Sequence, residues 1–103
     1  MQRIEVQRQL GNRIVTREDG RRLRDLIEQG LSSPPVVVDF EGLQITSVSF
    51  FDEAFGALAL RMGDTKLLDD VRFERIDKFD LALVRDIISS RAREARARRT
   101  LTT

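Results

Sequence analysis

The chain has 103 residues, 41% of them hydrophobic and 34% charged, and a net charge of +1. That is the size and balance of one globular domain, and it excludes both a disordered chain and a strongly cationic molecule drawn to polyanions. Cysteine and histidine are absent, which excludes disulfides, thiolate metal sites, a cysteine nucleophile and the commonest neutral-pH base and metal ligand.

From the N-terminus, MQRIEVQRQL lacks a signal-peptide core, and no apolar run approaches the ~20 residues of a membrane span. A cytoplasmic protein is expected. Arg3 to Leu10 alternate loosely between polar and apolar, at Ile4, Val6 and Leu10, which predicts a half-buried or edge strand. Gly11-Asn12 then predicts a turn and Arg13–Val15 a short second strand. Thr16 precedes Arg17-Glu18-Asp19, an N-cap followed by first-turn acids, and opens a helix from about Arg17 to Gln29 with Gly30 as its stop. Ser32-Ser33-Pro34-Pro35 is a rigid connector.

Val36-Val37-Val38-Asp39-Phe40 is an uninterrupted β-branched run ending in an acid and a phenylalanine; it predicts a central strand buried on both faces. Glu41-Gly42 ends it. A turn through Ile45 and Val48 leads into a helix from Ser49 or Phe50 to Met62, on which Phe51, Ala54, Phe55, Leu58 and Met62 form one helical stripe. Val71–Ile76 predicts a further strand, with Val71 and Phe73 on one face and Arg72 and Glu74 on the other. Asp77 caps a last helix to about Ala95, with Leu81, Val84, Ile87 and Ile88 inward. Residues 1–95 are expected to form the domain and 96–103 a frayed basic tail. Strands alternating with helices imply an α/β domain in which helices cross between parallel strands.

The stretch VVVDFEGLQITSVSFFDEAFGALAL, from Val36 to Leu60, holds the functional candidates. A buried strand delivers the chain to a turn, and the turn opens a helix whose free N–H groups favour negative charge. Ser49 with Asp52 has the spacing of a capping box, worth on the order of 1–2 kcal/mol to the helix. The competing reading is a phosphorylation switch: a phosphate adds nearly two negative charges beside Asp52 and Glu53. Asp39 either orients the following turn by accepting backbone N–H groups or serves as a functional carboxylate. Phe50 and Phe51 are adjacent, so one of them is expected at the surface, with Phe50 the candidate interface anchor.

The run from Val36 to Gly56 resembles the signature of a STAS-like domain family of unknown function, distant relatives of the anti-sigma-factor-antagonist (STAS) domains. The likeness rests on Asp39-Phe40 at the strand end, then Ser47, Ser49, Phe50, Asp52 and Glu53, with Gly56 one turn later. IVTREDGRRLRDLI resembles the family's first-helix entry. The resemblance implies a small mixed sheet of about four strands with helices mainly on one face. It also implies a partner-binding surface at Ser47, Ser49, Phe50, Asp52, Glu53 and Gly56, with Asp39 and Phe40 as structural support. The implied partner is an ATPase-fold serine kinase or an anti-sigma-type regulator. Ser49 is the first candidate phosphoacceptor and Ser47 the second, because the usual Asp-Ser-Ser/Thr-Gly is replaced by Ile45-Thr46-Ser47-Val48-Ser49-Phe50.

Catalysis finds little support. Asp52 and Glu53 diverge by roughly 100° on a helix and do not face one substrate. A serine nucleophile would need a lysine base, yet Lys66 and Lys78 stand in no motif. No phosphate-binding glycine loop is present, and no metal or cofactor is expected. The tail RAREARARR supports an alternative, a nucleic-acid or acidic-partner contact, against the simpler reading of a solvated helix end.

Overall fold

The computed structural model describes residues 2–11 and 16–102. Its frame is a sheet of three parallel strands in the order β1 (Gln2–Glu5), β2 (Val36–Asp39), β3 (Val71–Glu74). In register, Arg3, Val37 and Arg72 lie side by side, as do Glu5, Asp39 and Glu74. The helices are α1 (Val6–Leu10), α2 (Arg17–Gly30), α3 (Val48–Phe51), a π-helical segment (Asp52–Gly56), α4 (Ala57–Met62), α5 (Lys66–Asp70) and α6 (Lys78–Thr102). The α3, π-helical and α4 segments follow one another without a break.

Side chains alternate across the strands, so the two sheet faces differ. Ile4, Val36, Val38, Val71 and Phe73 join the core beneath the helices, together with Leu23 and Ile27 of α2 and Val84, Ile87 and Ile88 of α6. The opposite face carries Arg3, Glu5, Arg72 and Glu74 around Val37 and Asp39. Val37 and Asp39 are only 2% exposed. The central strand is thus buried on both faces, as the valine run predicts, but arginine stems rather than a second helical layer flank Val37.

Four expectations need correction. The sheet is parallel throughout rather than mixed, and the described residues form three of its expected strands. Each strand-to-strand connection contains a helix, the crossover that parallel pairing requires. The expected strand Arg13–Val15 lies outside the described residues. The strand expected over Arg3–Leu10 stops at Glu5 and turns into α1, because Gln, Arg and Leu favour a helix once the alternation lapses. The last helix continues from its expected end near Ala95 to Thr102, so residues 96–102 of the expected tail are helical. Ala, Arg and Glu are strong helix formers, and Glu94 pairs with Arg91 and Arg98 one turn away on either side. Finally, α5 occupies a segment for which no element is predicted.

The caps follow the sequence closely elsewhere. Thr16 Oγ1 accepts from Asp19 N at 3.1 Å, and Asp77 accepts from the N–H groups of Phe79 and Asp80. Gly63, at φ 75°, ends α4 in the left-handed conformation that glycine adopts without strain.

Candidate functional site

β2 leads through Phe40 into the loop 41–47, and the loop feeds α3. Phe40 is fully buried, its ring edge-on to Phe51 at 6.2 Å between centroids. Asp39 is held by Arg3 at 2.8 Å, by the side chain of Arg75, and by Glu41 N at 3.0 Å. The Arg75 guanidinium, helped by the Glu41 N–H, keeps this carboxyl below its ordinary titration range against the opposing effect of burial. Asp39 thus accepts the backbone N–H that begins the loop, and its charge is met by two arginines.

The helix entry differs from the expected capping box. Ser47, not Ser49, is the N-cap: its Oγ accepts from Phe50 N at 3.2 Å, and its backbone is extended. Ser49 lies within the first turn, half-buried, and its hydroxyl meets no partner among the described residues. Asp52 is left two positions too far along to cap. Its carboxylate instead takes a two-pronged contact from Arg91 of α6, at 2.8 Å for each oxygen. The pair holds the Arg91 guanidinium charged well beyond its ordinary range, with Glu94 adding to the effect. Glu53 turns the other way, toward Arg17 at 3.0 Å and Arg24 at 3.4 Å on α2. The two acids point to different helices, as their spacing predicts.

Phe50 is fully buried, and so is Phe51, which removes Phe50 as an exposed anchor. The expectation that one of the two must surface holds for a helix with one buried side. Here the segment runs between α2 and α6, so two sides are covered. On both flanks a glycine lies at the closest approach, where a methyl group would force its neighbours to shift. A Cβ on Gly20 would lie 2.8 Å from Glu53 Cβ and from Phe50 O, and one on Gly56 would press on Ile87 Cγ2 at 3.0 Å and on Asp52 Oδ1. Gly56 is accordingly a packing position rather than part of an open surface. The π-helical turn spans Asp52 to Gly56, where both flanking helices press in.

The residues that do surface at this end are different ones. Val48 is 59% exposed and Phe79, in the first turn of α6, 68% exposed; these are the exposed large hydrophobics of the described residues. They flank one tie point. Asp80, 1% exposed, accepts from Ile45 N at 2.7 Å and from Thr46 N at 2.9 Å. It thereby holds Thr46 at φ 47°, a conformation unusual for a β-branched residue. Asp80 and Arg91 escaped the sequence reading, although a signal existed. Both are polar residues set on the apolar stripe of Val84, Ile87 and Ile88 at helical spacing, where a charge needs a partner.

Of the five arginines in the C-terminal run, Arg91 and Arg98 are engaged with acids and Arg99 donates to Met62 O at 3.2 Å. Among the described residues no group of three or more acids is placed to hold a metal, and no helix is long and apolar enough to cross a membrane.

Fold and site together define an α/β domain in which a buried central strand runs through a tied loop into a helix entry. The chain belongs to the family described as STAS-like domain of unknown function, whose family model matches residues 19–81. That span contains all but the first two residues of α2, then β2, the loop, α3 to α5, β3 and the start of α6. No curated protein and no solved structure matches the chain.

Proposed function

We propose that this domain is a protein-interaction module, not a catalyst, that engages its partner through the face at the entry to α3, within residues 45–56, regulated by phosphate at Ser49. The observation that carries the reading is the pair Val48 and Phe79, two large hydrophobics exposed on either side of a loop that Asp80 holds in place. A lone exposed hydrophobic is ordinary, but two flanking a rigid loop form a preorganised apolar contact. The partner class is the one that family likeness implies, an ATPase-fold serine kinase or an anti-sigma-type regulator.

Ser49 is the better phosphoacceptor because Ser47 Oγ is occupied as the N-cap, whereas the Ser49 hydroxyl meets no partner among the described residues and lies in the first helical turn. Phosphate there meets the positive end of the helix. Repulsion from Asp52 and Glu53 is muted, since Arg91 and Arg17 neutralise them. The switch then acts by placing charge beside Val48 rather than by melting the helix.

The test is affinity capture from the native cell with the full chain, followed by mass spectrometry, and intact-mass measurement of the chain itself. Val48→Asp and Phe79→Asp should each reduce capture at least about tenfold while leaving the circular dichroism spectrum intact. Ser49→Asp should do the same. Undiminished capture by all three variants overturns the proposal.

A further inference from the structure

β3 is an edge of the sheet, and its outer side is bare. Phe40 N donates to Glu74 O at 3.0 Å. In a parallel ladder this fixes the alternation: Arg72 and Glu74 direct their backbone groups to β2, so Phe73 directs its N–H and C=O outward. No partner meets either group among the described residues. An unpaired edge of this kind is a template for another strand.

The edge also has a groove beside it, about 570 Å3 in volume, between β3 and the side chains of α5 and α6. Half-buried Leu68, Phe73 and Leu81 supply its apolar lining, and Arg72 and Arg85 its charge. The two arginines differ from most others in the protein. Arg3, Arg17, Arg24, Arg61, Arg75 and Arg91 all sit in ion pairs. Arg72 and Arg85 have no acidic partner within ion-pair distance among the described residues, and both are exposed. Glu74, the acid that shares the groove, is taken by Arg3 at 2.9 Å.

We infer that the β3 edge is a docking site for an extended peptide segment of a partner protein, added as a fourth strand, in which apolar residues alternate with acidic ones. Phe73 N–H and C=O supply the main-chain pairing. Because strand side chains alternate, the peptide's residues on the helix side enter the groove over Leu68, Phe73 and Leu81. Those on the opposite face carry carboxylates past Arg72, and Arg85 attracts a further carboxylate at the helical wall. Neither Val48 nor Phe79 lines this groove, so the two proposals are tested by different variants.

The experiment uses the full chain labelled with 15N and capped peptides of about seven residues, the length of an ordinary strand, alternating valine with glutamate. Counterparts carry lysine for glutamate, or N-methyl groups along the pairing edge. The valine–glutamate peptide should shift the amide signals of Val71 to Arg75 and slow hydrogen exchange at Phe73. The lysine and N-methylated peptides should bind at least about tenfold more weakly. Arg72→Glu with Arg85→Glu, both on the surface, should turn the preference toward the lysine peptide. The inference is overturned by any of four results: no peptide shifts those signals, N-methylation leaves binding unchanged, the double charge reversal leaves the preference unchanged, or Phe73 becomes protected through self-association without peptide.

Discussion

Ser47 and Ser49 show how little separates a structural hydroxyl from an available one. Both stand at the same helix entry, both are half-buried, and either would satisfy an N-cap preference by residue type. The choice is made by Asp80, which holds Ile45 and Thr46 so that the extended residue before the helix is Ser47. Ser47→Ala should therefore cost about 1 kcal/mol of stability, the loss of a serviced N-cap. Ser49→Ala should stay within about 0.5 kcal/mol, as for a surface change that breaks no bond. Urea denaturation of the two variants measures both, and equal losses would return the cap to Ser49. Phe50 belongs to the same scale: its residue type suits an interface anchor, but its burial makes Phe50→Ala a core-cavity mutation. Loss of binding in that variant would say nothing about a surface.

At the scale of elements, the helical run from α3 to α4 is the most constrained part of the fold. It lies between α2 and α6, ties Glu53 to one and Asp52 to the other, and keeps glycine where each neighbour comes closest. Gly20→Ala tests this packing. Its new methyl meets Phe50 O, a backbone atom that cannot swing aside, so α2 must retreat from α3 at a cost of about 1–3 kcal/mol. The gain in helix propensity offsets at most about 1 kcal/mol of that. A thermal melt should show Gly20→Ala less stable than the parent chain; an unchanged or higher midpoint would mean that the helices are not in close contact.

For the whole molecule, charge is distributed by face rather than by net value. The near-neutral total hides an open sheet face of acids and arginines, with Asp39 at its centre. The Asp39 carboxyl titrates below its ordinary value of 3.8, chiefly because of Arg75. A depressed carboxyl stabilises the fold fully above its unfolded value and loses that contribution as the pH falls through its lower folded value. Acid unfolding should accordingly steepen below the ordinary aspartate range. Asp39→Asn should be less stable than the parent at neutral pH, and the difference should shrink as pH falls. A constant difference across the acid limb would show that Asp39 contributes no charge-dependent stability.

Much of the frame was legible in residue order alone. The valine run, the Phe51 to Met62 stripe, and the caps at Thr16 and Asp77 are local features, and each lies within a few residues of the feature that determines it. The family signature in Asp39 to Gly56 is local in the same sense. Which serine caps, which phenylalanines are buried, and where Asp52 and Asp80 spend their carboxylates depended on partners that are distant in the chain: Asp52 lies 39 residues from Arg91, and Ile45 35 residues from Asp80. Periodicity identifies a buried side of a helix but not how many neighbours that helix has, so only the tertiary structure could cover both Phe50 and Phe51. Of the stretch first read from Ser47 to Gly56, the structure buries Phe50 and Gly56 and pairs Asp52 and Glu53 with arginines, so the proposed contact rests on the exposed Val48, with Ser49 next to it, and on Phe79.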